Sequence, residues 1–258
     1  TITRGAFMAG LAYRSGYFFT IANNLIYMGI AFYLWQSIYG SREIIRGMTF
    51  NQTFLYLSLA SSIFVLFQTW SDWEIGFQIN DGSIITWMIK PLNYQFSIMA
   101  SALGFVLTNL LTITIHTIIF LVFVFKVTFA TGPGLIFFPL ALVFSFLLTS
   151  TIDYIVGITC FYTESVWGLS ITKDVIITFL SGSLIPLPFF PENIRSILEF
   201  LPFQAIYHIP LNMVIEPNQP TSEYLTMIGI QLVWVIILFV LSRQYYNKAV
   251  KKLRIAGG

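Results

Sequence analysis

Charged side chains are the scarcest class in this chain. Asp, Glu, Lys and Arg make up 9% of its 258 residues, whereas hydrophobic side chains make up 57%. Soluble domains average about 25% charged and about 45–50% apolar residues. The composition therefore excludes an ordinary soluble domain. We expect a single membrane domain over residues 1–258 that binds no nucleic acid.

Cysteine and histidine are also nearly absent. The single cysteine, Cys160, cannot form an internal disulfide, and two histidines cannot make a His-rich metal site. The sequence also lacks the P-loop, H-E-x-x-H and G-x-S-x-G patterns. We therefore expect no catalytic residues, no metal and no cofactor in this chain.

Long apolar runs are what the chain has in abundance. They cover about 16–38, 50–69, 98–125, 135–162, 168–187 and 224–246. A helix needs about 20 apolar residues to cross a bilayer, and an isolated span must be helical because lipid offers the backbone no hydrogen-bond partner. We predict an all-α membrane protein with six transmembrane helices.

Lys and Arg are unevenly divided between the two sides of such a chain. One side would hold nine of them: Arg4, Arg14, Lys90, Lys173, Arg243, Lys248, Lys251, Lys252 and Arg254. The other would hold Arg42, Arg46, Lys126 and Arg195. Because cytoplasmic loops carry the excess of positive charge, we predict that both termini are cytoplasmic. The basic C-terminal tail also suits anionic membrane lipids.

The first 15 residues, moderately apolar with two arginines, are too short for a span. They predict an interfacial helix that leads into the first span. They lack the order of a cleaved signal peptide. The chain begins at Thr1 rather than Met, so we expect a few residues to precede it.

The connection after the second run, residues 70–97, contains three acidic residues and the turn signal "NDGS". The stretch "SIITWMIK" then predicts a short helix. Asp81 or Ser83 would cap its start, Lys90 suits its C-terminal end and Pro91 stops it. Its apolar side chains must be covered, either by the bundle itself or by a partner protein.

Prolines are concentrated in one segment, with seven of ten between residues 186 and 220. Residues 181–194, "SGSLIPLPFFPENI", are apolar yet broken by three of them. Apolar spacing predicts a short amphipathic helix over 193–201, which Pro202 ends, and "FQAIYHIPLNMVIEPNQP" predicts turn-like chain. Irregular backbone at membrane depth needs protein cover. We predict a re-entrant hairpin on the outer side.

Four polar residues within the apolar runs are candidates for a transport pathway. Asp153 would serve either substrate or proton handling or a structural contact, because an ionised Asp in mid-bilayer costs about 2.5–3.5 kcal/mol and must face protein or water. His116 would be a packing group or a proton relay. Asn23 and Asn24 would line a pathway or join helices.

Three stretches, in order, carry a family resemblance. They are "LAYRSGYFFTIANNLIYMGIAFYLWQSIYG", "NDGSIITWMIKPLNYQF", and "FYTESVWGL" followed by "FLSGSLIPLPFFPENIRSILEFLPFQAIYHIP". Together they resemble permeases of the ABC transporter type-2 (ABC-2) exporter superfamily, especially its six-span bacterial branch. The departures are an extra proline, Pro188, and Lys90 where Arg is also common.

The resemblance implies a permease subunit in the bacterial cytoplasmic membrane. Such a subunit pairs with a second permease, identical or related, and with separate nucleotide-binding ATPase subunits that hold ATP and Mg²⁺. The implied coupling helix contains Asp81, Gly82, Ser83, Ile84, Ile85, Trp87, Met88, Lys90 and Pro91. The implied outer gate contains Gly182, Pro186, Pro188, Phe189, Phe190, Pro191, Pro202 and Phe203.

Two other functions also fit the residues. One is an integral-membrane transferase acting on lipid-linked substrates, which would need several acidic or histidine groups in one water-accessible layer. We expect Asp153 and His116 to lie at different depths and to lack such companions. The other is a non-transporting subunit of a membrane complex. Co-purification with an ATPase favours the permease, whereas a transferase activity abolished by Asp153→Asn favours the enzyme.

Overall fold

The computed structural model describes residues 1–12, 14–163 and 165–252, with all of their side chains except those of residues 14 and 15. It is 79% helical, which confirms the predicted helical class. Its α-helices are α1 (Ile2–Ala12), α2 (Arg14–Tyr39), α3 (Phe50–Leu66), α4 (Ser71–Asn80), α5 (Ile84–Met88), α6 (Tyr94–Asn109), α7 (Ile115–Ile119), α8 (Gly134–Ile158), α9 (Trp167–Leu180), α10 (Glu192–Phe200), α11 (Gln204–Ile215) and α12 (Thr221–Ala249).

Short elements connect and extend these helices. Two π-helical segments, Leu110–Thr114 and Phe120–Val124, flank α7 and continue α6 into one long rod. Short 3₁₀ turns cover Thr159–Phe161, Leu187–Phe189 and Val250–Lys252. A small antiparallel hairpin, not predicted from the sequence, joins β1 (Ile44–Ile45) to β2 (Met48–Thr49). Its turn residues Arg46 and Gly47 both have positive φ, as a tight two-residue hairpin requires.

Five helices in the described part of the chain are long and apolar enough to cross a membrane: Gly16–Tyr39, Phe50–Asn80, Tyr94–Val124, Gly134–Phe161 and Thr221–Lys252. They correspond to five of the six predicted runs. The run at 168–187 forms only the 14-residue α9, about 21 Å long against a hydrocarbon core of about 30 Å. The helix ends at Leu180 because Gly182 takes a positive φ of 84° and the proline-rich segment follows.

Residues 71–80, predicted as part of a loop, form the regular helix α4. Two acidic residues in its first turn, Asp72 and Glu74, favour a helix N-terminus through the helix dipole. Between α3 and α4 the chain breaks at Trp70, which has a positive φ of 56°. The left-handed conformation is unfavourable for a bulky residue, so the break stores local strain.

The predicted turn-like chain after Pro202 is also wrong. Residues Gln204–Ile215 form α11, with Pro210 inside it. Proline weakens a helix because it lacks an amide donor and crowds the preceding turn. Here that cost is offset by burial, since α11 is buried along most of its length and packs against α8 and α3.

The bundle has two distinct ends, which we name by their elements. The α5 end contains a small apolar cluster of Ile75, Ile84, Tyr94, Ile98, Tyr154 and Ile158. The hairpin end contains β1 and β2, the start of α8 and the end of α11. There the Tyr39 hydroxyl bonds the Met48 carbonyl at 2.8 Å, and the Gly134 amide donates to the Pro217 carbonyl at 3.0 Å.

The N-terminal helix α1 packs directly on α6. The contact is close because Gly104 of α6 meets the backbone of Thr3 and Phe7, and Gly10 of α1 meets Thr108. The Thr108 hydroxyl also donates to the Phe7 carbonyl at 3.3 Å. The predicted helix over 1–15 thus ends at Ala12, and residue 13 lies outside the described residues, as does Arg254 of the basic tail.

Candidate functional site

Three helices bring charged side chains together inside the bundle. Lys173 of α9 lies with its Nζ 2.6 Å from Asp153 Oδ1 of α8, 2.8 Å from Asp72 Oδ2 of α4 and 3.1 Å from Asp174 Oδ1. The side chains of Asp72, Asp153 and Lys173 are 3%, 4% and 10% exposed, whereas that of Asp174 is 47% exposed. One ammonium group therefore forms ion pairs with three carboxylates. We call these four residues the Lys173 cluster.

Asp72 is fixed by contacts on both carboxylate oxygens. Oδ1 accepts a hydrogen bond from the Trp73 amide at 3.0 Å, and Oδ2 accepts from the Ser170 hydroxyl at 2.5 Å as well as from Lys173. The Trp73 indole N–H in turn donates to the Ser170 hydroxyl at 2.8 Å. These bonds tie the start of α4 to the middle of α9.

A small cavity adjoins the Lys173 cluster. It is lined by Asp72, Asp153 and Lys173. Its volume is about 50 Å³, counted as the space in which the centre of a water molecule can lie. A single water needs about 10–15 Å³ on this measure, so the cavity is large enough for a few waters. Its lining also contains Phe64 and Gln68 of the α3 region.

A larger groove begins next to that cavity. It encloses about 620 Å³ between α2, α3 and the end of α9, and it shares Phe64 and Gln68 with the small cavity. Its walls are mixed, with Phe19 and Tyr27 beside polar residues such as Asn23 and Ser61. A pocket of this size with a few polar groups suits a bound small molecule or a water-filled path.

Asn23 and Asn24 both line the groove, and Asn24 also joins helices. Its amide donates to the Thr117 hydroxyl at 2.6 Å, and its carbonyl oxygen accepts from the Ser61 hydroxyl at 3.1 Å. Asn24 is buried, which makes these bonds a link between α2, α3 and α7. The Asn23 side chain forms no hydrogen bond with another described residue and lines the groove.

His116 lies apart from Asp153. It belongs to α7, between the two π-helical segments, and it does not line the cavity beside the Lys173 cluster. Its Nδ1 is buried without a hydrogen-bond partner in the described part of the chain. No hydrogen bond or ion pair joins His116 to Asp153 in the described part of the chain, so the structure shows no acid–base pair between them.

The short helix α5 is held at the α5 end by one buried residue. Ile84 is fully buried in the apolar cluster, whereas Ile85, Met88 and Ile89 are exposed, Ile89 by 80%. The Ser83 hydroxyl and amide bond the Asp81 carboxylate and lower its pKa. The helix covers Ile84–Met88 and is thus shorter than the predicted 83–90. Lys90 Nζ stacks 3.7 Å from the centre of the Trp87 ring.

The proline-rich segment folds as two helices, α10 and α11, behind a 3₁₀ turn. Phe189 of that turn packs its ring 5.1 Å from the Trp35 ring at the hairpin end. Pro186 and Pro191 are extended and lie on either side of the turn, Pro188 lies within it and Phe190 follows it directly. Pro202 and Phe203 lie in the link between the two helices.

The start of α11 is anchored by a glutamine from α12. The Gln231 side-chain amide donates to the Ala205 carbonyl at 2.8 Å, to the Ala141 carbonyl at 3.1 Å and to the Ser145 hydroxyl at 3.3 Å. Gln231 is fully buried. It therefore joins α8, α11 and α12 in the interior of the bundle.

A family model described as "ABC-2 family transporter protein" matches residues 25–257. The chain belongs to this family. The comparisons with curated proteins and with solved structures gave no significant match. As an ABC-2 family member with several apolar helices, it is a multi-pass membrane component of a transport system.

Two residues of this ABC-2 chain were misjudged from the sequence. The charge distribution predicts Lys173 on the cytoplasmic side, and the sequence predicts Asp72 in a connection between spans, yet both are buried in the Lys173 cluster. Without Lys173 the charge count becomes eight against four, so the sign of the bias is unchanged. The available signal was the Lys173–Asp174 pair inside an apolar run, because charge within such a run marks a functional or paired site.

Proposed function

We propose that this ABC-2 chain is the permease subunit of an exporter driven by separate ATPase subunits. Helix α5 would be the coupling helix that docks on an ATPase. The observation that carries this proposal is that α5 has one side chain buried in the bundle and an exposed apolar surface around it. Ile84 fastens it to the bundle, while Ile85, Met88 and Ile89 remain exposed beyond the last apolar cluster. Exposed apolar side chains of this kind mark protein contact sites.

Six crossings are part of the proposal, although α9 is short. Val166, just before α9, packs against Gly76 of α4 at the α5 end. Phe189, nine residues after α9, packs against Trp35 at the hairpin end. The segment 167–189 thus connects the two ends of the bundle, and the bends and the 3₁₀ turn of residues 181–189 supply the length that the helix lacks. An even number of crossings keeps both termini on the cytoplasmic side.

The re-entrant hairpin is the second structural part of the proposal. Residues 191–217 leave the hairpin end, descend to Gln231 in the interior and return to Gly134. Their backbone is covered by α8, α3 and α12, as irregular chain at membrane depth requires. This hairpin would close the outer end of the pathway, with Gly182 and the prolines permitting its turns.

Transport would proceed by alternating access between this permease and a second permease subunit. The groove along α2, α3 and α9 would form this chain's half of the pathway. Nucleotide binding on the ATPase subunits would draw the coupling helices together. It can shift the two-state equilibrium only by its differential affinity for the two states.

The coupling role predicts that Ile89→Glu will abolish ATPase association. A carboxylate at this exposed apolar position must be desolvated in the docked complex, so we expect at least a tenfold loss of bound ATPase. The measurement is affinity purification of the tagged full chain from its native membrane, with ATP hydrolysis of the eluate as readout. The matched control is Ile44→Glu, an exposed isoleucine at the opposite end, which should retain the ATPase. Equal ATPase recovery with both variants would contradict the assignment.

The pathway role predicts that the groove reacts with water-soluble reagents. In a Cys160→Ala background, Asn23→Cys should react with a charged maleimide in the membrane because thiolate formation needs water. Ile236→Cys on α12, half exposed on the apolar surface, is the control and should react at least tenfold more slowly. Equal protection of both cysteines, with and without nucleotide, would show that the groove is not an aqueous path.

A further inference from the structure

The Lys173 cluster holds one buried negative charge too many. Three carboxylates and one ammonium give a formal charge of −2 when all are ionised. Asp174 is about half exposed, so water can solvate it. Asp72 and Asp153 are both buried and share a single cation. An uncompensated buried charge is strongly unfavourable, so one more positive charge is required inside the bundle.

Asp153 is the carboxylate with room for that charge. Both oxygens of Asp72 already accept hydrogen bonds, from the Trp73 amide, Ser170 and Lys173. Asp153 uses only Oδ1, and its Oδ2 has no partner among the described residues. The Lys173 ammonium donates hydrogen bonds to Asp72 and Asp153 and also lies 3.1 Å from Asp174 Oδ1. Asp153 also lines the small cavity, so its free oxygen can be reached by water.

A proton fits this place better than a metal cation. Lys173 Nζ lies 2.6 Å from Asp153 Oδ1, so an alkali ion on the same carboxylate would face a full positive charge a few ångströms away. A proton neutralises the carboxylate and adds no second cation. The remaining Asp72 and Lys173 then form a one-to-one buried pair.

We propose that Asp153 is a proton-binding site that is occupied near neutral pH. A proton from water in the small cavity forms an O–H bond with Asp153, and the buried part of the cluster becomes neutral. The titratable groups facing Asp153 are Asp72 from α4, Lys173 and Asp174 from α9, and Tyr207 from α11. The proposal does not depend on the ATPase partner or on the direction of transport.

The groove supplies a route for this proton. The small cavity and the groove share Phe64 and Gln68, so a water path can join Asp153 to the α2–α3–α9 groove. The site also lies where α4, which leads to α5, contacts α9, which leads to the proline-rich segment. Proton binding would weaken the attraction between Asp153 and Lys173 and so loosen α8 from α9.

The test uses the purified full chain in lipid nanodiscs, without nucleotide. Infrared difference spectra should show a protonated-carboxyl C=O band near neutral pH that Asp153→Asn removes and Asp174→Asn retains. The folded protein would hold one more proton than the unfolded chain, so its stability falls as pH rises. We expect the thermal midpoint of the wild type to drop by about 3 °C per pH unit between about pH 5 and neutrality, where the folded chain holds the proton and an unfolded Asp does not, and that of Asp153→Asn to show no such drop.

Each outcome decides the question. A carboxyl band and a pH slope that both vanish in Asp153→Asn support the proton site. Absence of the band in the wild type, or an Asp153→Asn variant destabilised at every pH, overturns it in favour of an ionised structural pair. A midpoint at pH 8 that rises with NaCl but not with choline chloride, and only when Asp153 is present, would assign a sodium ion instead. ATPase association tested with Ile89→Glu is independent of all these results.

Discussion

Lys173→Met is expected to destabilise the bundle more than any other single replacement of a charged residue in the described part of the chain. The methionine keeps the apolar stem but removes the one ammonium shared by Asp72 and Asp153. Breaking a buried ion pair by removing one partner costs about 3–5 kcal/mol because the other charge stays buried. That is a large share of a total stability of about 5–15 kcal/mol.

The measurement is the thermal midpoint and the monodisperse fraction of the purified chain, and we expect the midpoint to fall by about 10 °C. Arg195→Met is the matched control. Arg195 pairs with Glu199 at 2.6 Å, but both side chains are more than 40% exposed. Exposed helix pairs contribute only about 0.3–0.5 kcal/mol, so this midpoint should stay within about 2 °C of the wild type.

A second replacement tests the mechanism. The double variant Lys173→Met with Asp72→Asn removes both members of the buried ion pair and leaves Asp153 protonated, so the buried part of the cluster carries no charge. Part of the lost stability should return. A double variant as unstable as the single one, or a single variant as stable as the wild type, would show that the cluster is not the electrostatic centre of this contact.

Gly134→Val is expected to displace the return of the proline-rich segment at the hairpin end. A Cβ atom at Gly134 would lie 2.4 Å from the Met213 carbonyl and 3.0 Å from Pro217 Cα. Both obstacles are backbone, so side-chain rotation cannot relieve the clash. Overpacking of this kind costs about 1–3 kcal/mol, and here it would also strain the bond from the Gly134 amide to Pro217.

The thermal midpoint should fall by several degrees, and hydrogen exchange should rise in α11 rather than in α6. Gly229→Ala on α12 is the control, because nothing beyond its own stretch of helix lies within 4 Å of its added Cβ. Alanine is a better helix former than glycine by about 1 kcal/mol, so this control should keep or raise the midpoint. Unchanged exchange in α11 of Gly134→Val would contradict the close packing.

The sequence predicted well the elements that depend on local composition. Five of the six apolar runs form long helices, and the helix predicted at 193–201 appears as Glu192–Phe200. Predictions based on proline were wrong where burial of a helix outweighed the low helix propensity of proline. Pro210 suggested turn-like chain, but packing of α11 against α8 and α3 keeps the helix intact.

The Lys173 cluster could not be predicted from local signals. Lys173 is 101 residues from Asp72 and 20 residues from Asp153, and only the packing of α4, α8 and α9 brings them together. Asp153 alone was recognisable, because an acid within an apolar run must find a partner. Nothing in its own neighbourhood identified that partner. The same holds for Gln231, whose carbonyl partners lie on α8 and α11.

The order of the Lys173 cluster along the chain has a consequence for biosynthesis. Helix α9 is short and carries a lysine and an aspartate, each of which opposes entry into lipid by about 2.5–3.5 kcal/mol at the centre of a helix. Asp72 and Asp153 are both translated before Lys173. When α9 leaves the ribosome, α4 and α8 are already available to receive its charge. In the proposed six-crossing topology, membrane insertion of α9 would therefore be assisted by its earlier neighbours, and we expect the same helix to insert poorly in a chain without them.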